Sequence, residues 1–305
     1  MKKIIISLSM IAAVAAVAVG ATTAFFSDTE TSTGNTFTAG AIDLGVDNQS
    51  YYNGVHNGGT SWGVDYDIDG GTDQEEGTVR QFFKFTDLKP GDYGEDTISL
   101  RVLDNESWMC SDVTLTSNDD VDCTEPETDE EGVNCQIDQP SPNADGDLAQ
   151  NIDFLWWADD GDNVLEDNED PLFPAGTLGD LGVGNTATVD LADDDNYIWS
   201  SLQGPLGGLL TDNGGEKVYI GKAWCFGDIS PFPLLQSSNG SRATTTPAQD
   251  GSNNGVNGEP VDGGFLCSGA SSLNNAAQTD SATMDISFRA VQARNNPGFE
   301  CNVLP

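Results

Sequence analysis

No stretch of this chain keeps a helical apolar period for more than about two turns, yet short runs of alternating apolar and polar residues return from one end to the other. That pattern restricts the fold to sheets. Strand-like runs fall at residues 36–46, 78–85, 96–103, 111–116, 152–157, 186–191, 217–226 and 282–293, with turn residues between them. In the last of these, Met284, Ile286, Phe288 and Ala290 alternate with polar neighbours, as on a half-buried strand. Leu88, Lys89, Pro90, Gly91 and Asp92 set proline and glycine in turn order between two strands. Hydrophobic residues make up 37% of the chain, enough for a core, and 35 glycines with 13 prolines suit a turn-rich protein. The expected fold is therefore all-β: one jelly-roll-like β-sandwich carrying long acidic and Ser/Asn/Gly-rich loop insertions.

The N-terminus reads as a targeting segment. Lys2 and Lys3 precede an apolar run from Ile4 to Val19, and small residues follow up to Ala24. This is the layout of a secretory signal peptide. The run is shorter than the ~20 residues that span a bilayer, so cleavage is favoured over a retained anchor. The expected cut lies between Ala24 and Phe25, giving a signal peptide at 1–24, an N-terminal segment at 25–40 and one sandwich domain at 41–305. The expected location is secreted, extracellular or on the cell surface.

Charge excludes whole classes of function. Against 50 acidic residues stand 11 basic ones and a single histidine, a net charge of −39. Losing residues 1–24 removes two lysines and no acid, which leaves 9 basic against 50 acidic residues, a net −41. Phosphate recognition needs basic side chains, so nucleic acid is excluded as a partner. Docking on anionic lipid is disfavoured for the same reason. The excess instead suits a hydrated, self-repelling shell or carboxylates gathered around a hard divalent cation.

Two stretches read as insertions. Residues 117–148 hold eleven Asp and Glu and no Lys or Arg, as a solvated loop does. Residues 231–264 are rich in Ser, Asn, Gly, Thr and Pro and read as a surface loop. The six cysteines, Cys110, Cys123, Cys135, Cys225, Cys267 and Cys301, form no C-x-x-C pair, and an even count in an exported chain points to disulfides. Six cysteines allow many pairings; the expected one has Cys123–Cys135 and Cys225–Cys267 as local clips and Cys110–Cys301 tying back the C-terminus. Asn48, Asn105 and Asn239 head N-x-S sequons.

The strongest metal motif runs from Asp65 to Glu76. Asp65, Asp67 and Asp69 would offer oxygens at the first, third and fifth positions of a calcium loop, with Gly70 at the sharp turn. Gly71 would add its carbonyl, Asp73 the ninth position and Glu76 a closing carboxylate. The flanks lack helical pattern, so this is a calcium loop without a helix pair. A second acidic turn, carrying Asp160, Asp162, Glu166 and Glu169, follows the aromatic pair Trp156 and Trp157 and matches no standard loop spacing. The expected cofactor is calcium. Tyr51, Tyr52, Trp156, Trp157 and Trp224 read as core or rim aromatics before carbohydrate platforms.

The segment from Ala24 to Leu44 resembles the TasA/camelysin family. The matching pieces are Phe26, Ser27 and Asp28, the run from Asn35 to Gly40, and Ile42, Asp43 and Leu44. The turn from Asp87 to Asp92 and the strand from Ile286 to Gln292 are similar to later family elements. The resemblance implies an exported β-sandwich processed by a SipW-type signal peptidase, with several members assembling into fibres of biofilm matrix or surface. It further implies a homopolymer linked by donor-strand exchange, with other matrix or surface proteins as further partners. Residues 25–40, with Phe25, Phe26 and Phe37 as apolar points, would be the donated strand. Repeated head to tail, that contact does not close and gives a filament. Some relatives carry the label metallopeptidase, but this chain has only His56 and no H-E-x-x-H, so a non-enzyme is expected. A camelysin-type peptidase and a monomeric surface adhesin are the alternatives.

Overall fold

A computed structural model describes residues 27–31, 35–36, 42–62, 80–103, 105–131, 146–169, 171–199, 205–206, 217–235, 260–269 and 275–302. The strands run in order β1 (Ser27–Thr31), β2 (Asn35–Thr36), β3 (Asp43–Tyr52), β4 (Val55–His56), β5 (Tyr93–Leu103) and β6 (Ser107–Asp119). A short helix α1 (Glu125–Glu131) precedes β7 (Ile152–Asp159), β8 (Pro171–Thr177), β9 (Thr186–Ala192) and β10 (Lys217–Phe226). The chain then forms β11 (Asp228–Pro231), β12 (Phe265–Ser268) and β13 (Ser281–Gln292).

These strands make an all-β sandwich. One sheet has the order β2-β1-β13-β6-β9 and the other β4-β3-β5-β10-β7-β8. Strands β1, β13, β6 and β9 set against β3, β10, β7 and β8 give the jelly-roll order, and β5 is an added strand wedged between β3 and β10. Alternation explains the core. On β5 the alternate residues Ile98, Leu100 and Val102 share one face and pack in one cluster with Met109 and Val113 of β6 and Ile286, Phe288 and Ala290 of β13. Each large side chain there contributes roughly 1.5–3 kcal/mol by leaving water.

The six-stranded sheet also buries its outer face. The hairpin of β11 and β12 lies there, and Ile229 and Phe265 pack with Tyr93, Leu155, Trp157, Leu165 and Ala223 in a second core. Two glycines seat tryptophans: a Cβ on Gly221 would meet the Trp157 ring at 2.1 Å, and one on Gly94 the Trp224 ring at 2.2 Å. Trp156, Trp157 and Trp224 are all buried, which leaves them no part as surface platforms.

Several boundaries differ from the sequence reading. The strand expected at 36–46 begins at Asp43 and runs on to Tyr52. The run at 78–85 is no strand where it is described, at 80–85. Its aromatics fill separate gaps: Phe82 enters the main core, and Phe85 stacks on Tyr52. Its carbonyls are met by side chains, Asn48 Nδ2 donating to Phe82 O at 3.3 Å and Trp62 Nε1 to Gln81 O at 3.1 Å. With its amide spent in this way and only 3% exposed, Asn48 is sealed against glycosylation in the fold. The insertion read as 117–148 starts inside β6, which extends to Asp119, and contains α1.

Disulfides join Cys110 to Cys301 and Cys225 to Cys267. Cys123 is also disulfide-bonded, while Cys135 lies outside the described residues. Part of the 25–40 segment is held in the chain's own sheet instead of standing apart as a tail, since β1 pairs with β13. Phe25, Phe26 and Phe37, and residues 1–24 with the cleavage point at Ala24, lie outside the described residues. Among the described residues no helix is long and apolar enough to cross a membrane.

Candidate functional site

The loop from β7 to β8 is folded around two carboxylates. Asp159, at the end of β7, accepts from Gly161 N at 2.9 Å, from Asn163 N at 3.1 Å and from the Trp157 indole N–H at 3.2 Å. That turn needs positive backbone angles, found at Gly161 (φ 110°) and Asn163 (φ 64°). Glu169 closes the other side, its Oε1 accepting from Asp160 N at 2.9 Å and its Oε2 from Glu166 N at 3.1 Å.

Three carboxylates remain inside. One oxygen each from Asp160, Asp162 and Glu166 lies within 4.8 Å of the others. Asp160 Oδ1, Asp162 Oδ2 and Glu166 Oε2 are buried and accept no hydrogen bond. Asp162 is 6% exposed and Glu166 1%. Burial, reinforced by neighbouring carboxylates, pushes the Asp162 pKa up to about 8 and that of Glu166 to about 7. The same causes lift Asp159 to about 7 and Glu169 to about 10, against the hydrogen bonds they accept. Among the described residues, the charges that raise Asp162 and Glu166 are other carboxylates. Converging anionic oxygens without a positive partner can hold a metal ion.

Of the sequence-expected ligands, Asp160, Asp162 and Glu166 come together here, and Glu169 is turned to the backbone. The loop carrying Asp65, Asp67, Asp69, Gly71, Asp73 and Glu76 lies outside the described residues. The sequence reading does not reach Asp159; an aspartate two residues before a glycine is its only trace. Nor does it reach a further acidic group, Asp120, Glu127 and Asp280. There Glu127 accepts from Thr124 N at 2.6 Å and Thr279 Oγ1 at 2.9 Å, and Asp280 from Asp147 N and Leu148 N, so this group pins α1 and its flanks to the sandwich.

Glu95 of β5 is another buried acid. It is fully buried, neither carboxyl oxygen has a hydrogen-bond partner, and a Cβ on Gly263 would fall 1.8 Å from its Oε1. Burial, then Asp262 and Asp96, raise its pKa well above 4.5. The folded state thus favours the proton, and its stability is full below the ordinary glutamate pKa and lost as pH rises from there. Glu95→Gln keeps the neutral shape. We expect it to melt higher than the parent near pH 7, by about 2–4 °C for each kcal/mol gained, with the gap closing near pH 4. A gap of equal size at both pH values in a thermal melt would refute this.

The second feature is a strand edge. β1 pairs with β13 from Ser27↔Val291 to Thr31↔Ser287. Residues 281–286 of β13 pair with β6 on one side, and among the described residues no strand pairs with them on the other. A groove of about 440 Å³ runs along this stretch, lined by Ala282 and Met284 of β13 with Phe83, Phe85, Phe154 and Trp224. His56, on the two-residue β4, is exposed and packs edge-on to Tyr51 at 5.6 Å. Among the described residues it belongs to no metal-ligating group.

Fold and site together define a disulfide-clipped jelly-roll sandwich with an inner carboxylate cluster and a partly open strand edge. Over its N-terminal part the chain matches the TasA/camelysin family: a family model described as Camelysin metallo-endopeptidase covers residues 1–57. The match ends just after β4, so it takes in β1 and β2 but neither the acidic loop nor β13. No curated protein matches the chain.

Proposed function

We propose that this protein is an exported structural subunit that polymerises head to tail into extracellular fibres. In this reading the N-terminal strand of one copy completes the β13 edge of the next, and calcium stabilises the acidic loops. A SipW-type signal peptidase frees the strand, and other matrix or surface proteins are further partners. The observation that carries the reading is the pairing of β1: among the described residues five pair with β13, and the β13 edge beyond them borders an apolar groove. Main-chain pairing with side chains entering pockets is how a donated strand binds.

Two variants test it by negative-stain microscopy and sedimentation. The mature chain starting at Phe25 should form fibres, and one starting at Gly40 should fold but stay single. A Thr31→Cys/Ser287→Cys variant, bridged across a paired position, should also stay single because its strand cannot leave. Fibres of normal length from either variant would sink the mechanism. The family label favours a second reading, a secreted metallopeptidase. Casein hydrolysis that is lost with chelator and in His56→Ala, and that survives repurification, would establish it.

A further inference from the structure

The inner carboxylates of the β7–β8 loop sit beside the two ends of the 231–264 insertion. Leu165, between the acidic residues, donates its N–H to Gly263 O at 3.0 Å, and its carbonyl accepts from Leu234 N at 3.0 Å. Asp167 N donates to Leu234 O at 2.9 Å. The Leu165 side chain is fully buried in the second core with Ile229 and Phe265 of the β11–β12 hairpin. The loop is thus a main-chain tie between the six-stranded sheet and the layer that covers its outer face.

We propose that Asp160, Asp162 and Glu166 bind one calcium ion, and that this ion fixes Leu165 so that the β11–β12 layer stays docked on the six-stranded sheet. This deepens the cation part of the fibre reading, and its test is made on single subunits so that the two can fail separately. The ligand atoms are all carboxylate oxygens, which select a hard cation over zinc. Asp162 Oδ2 and Glu166 Oε2, on side chains more than nine-tenths buried, face the cluster with no hydrogen-bond partner, the arrangement a cation satisfies. Asp159 and Glu169 already spend their oxygens on loop N–H groups and so hold the ligands in place. Calcium takes about 6–8 oxygens in irregular geometry, so carbonyls and water complete its shell, whereas magnesium demands a near-ideal octahedron.

The full mature chain, kept monomeric by the Thr31→Cys/Ser287→Cys bridge, is titrated with calcium by calorimetry and with terbium by tryptophan-sensitised emission, Trp156 and Trp157 being close in sequence. Amide exchange is followed at Leu165 and Leu234. Calcium should slow exchange at both amides by about tenfold or more, and Asp162→Asn and Glu166→Gln should each weaken this binding at least about tenfold and remove the protection. Unchanged affinity and stoichiometry in both variants overturn the site. Loss of binding in Asp65→Asn with binding kept in Glu166→Gln assigns the ion to the 65–76 loop and also overturns it. Calcium that binds through Glu166 without slowing either amide overturns the docking role. Absence of fibres from the unbridged chain with calcium binding intact counts against the fibre reading alone.

Discussion

Lys222→Met should unfold this protein at a temperature roughly 10 °C lower than the parent, and Lys222→Met combined with Asp96→Leu should restore most of that loss. Lys222 Nζ lies 2.7 Å from Asp96 Oδ2, and the side chains are 0% and 1% exposed. Both project from the six-stranded sheet, Lys222 opposite Asp96 in the β10–β5 register. The ammonium also lies 4.5 Å from the Phe83 ring centroid and 5.8 Å from that of Phe82. Burial pulls the Lys222 pKa below the usual lysine value, and Asp96 opposes that pull. Removing one partner strands the other charge away from water, at a cost of about 3–5 kcal/mol. Removing both trades the pair for apolar packing, which is about neutral. Urea denaturation of the two single variants and the double variant decides it. Single variants within about 1 kcal/mol of the parent would show that water reaches the pair.

The second large effect concerns the C-terminus. Opening Cys110–Cys301 with serines should cost about 5 kcal/mol on the chain-entropy model, because the bridge spans 191 positions. Cys225–Cys267, spanning 42, should cost about 4 kcal/mol. The first bridge also anchors contacts of its own. Cys301 N donates to Asp193 Oδ2 at 3.2 Å, and Arg289 Nη2 to Cys301 O at 3.3 Å. The Trp108 indole N–H donates to Asn296 O at 2.8 Å, closing the tail over β6. Denaturation of Cys110→Ser/Cys301→Ser beside Cys225→Ser/Cys267→Ser measures the order. A larger loss from the shorter bridge would mean that the outer layer, and not loop closure, governs stability.

The central strands are legible in the sequence because their side chains alternate plainly. β10 lies at 217–226 as read, and β13 shows its inward Ile286, Phe288 and Ala290 in the sequence itself. β8 is not legible: Pro171, Pro174 and Gly176 look like a turn, and only its place at the sheet edge lets such residues pair. β11 and β12 hide at the borders of a stretch whose composition reads as loop, with Cys225 and Cys267 as the only hint that its ends return to the sheet. At the acidic turn the residue types are readable and the roles are not. Which carboxylates face inward depends on Asp159 bending the backbone at Gly161 and Asn163, a decision made in three dimensions. Glu169 reads as a ligand in the sequence; its oxygens are instead held by Asp160 N and Glu166 N.

The pairing of Ser27–Thr31 with the chain's own β13 also bears on dilution. A segment tethered close to its sheet meets that sheet at an effective concentration of about millimolar. Any strand arriving from another copy competes against that figure, since the main-chain bonds it can offer are the same in kind. In the proposed fibre, exchange would gain ground only where chains are crowded to a similar level, or where the newcomer also fills the groove beside residues 281–286. Ser27–Thr31 would there act as a latch whose strength sets the density of chains below which each one keeps to itself.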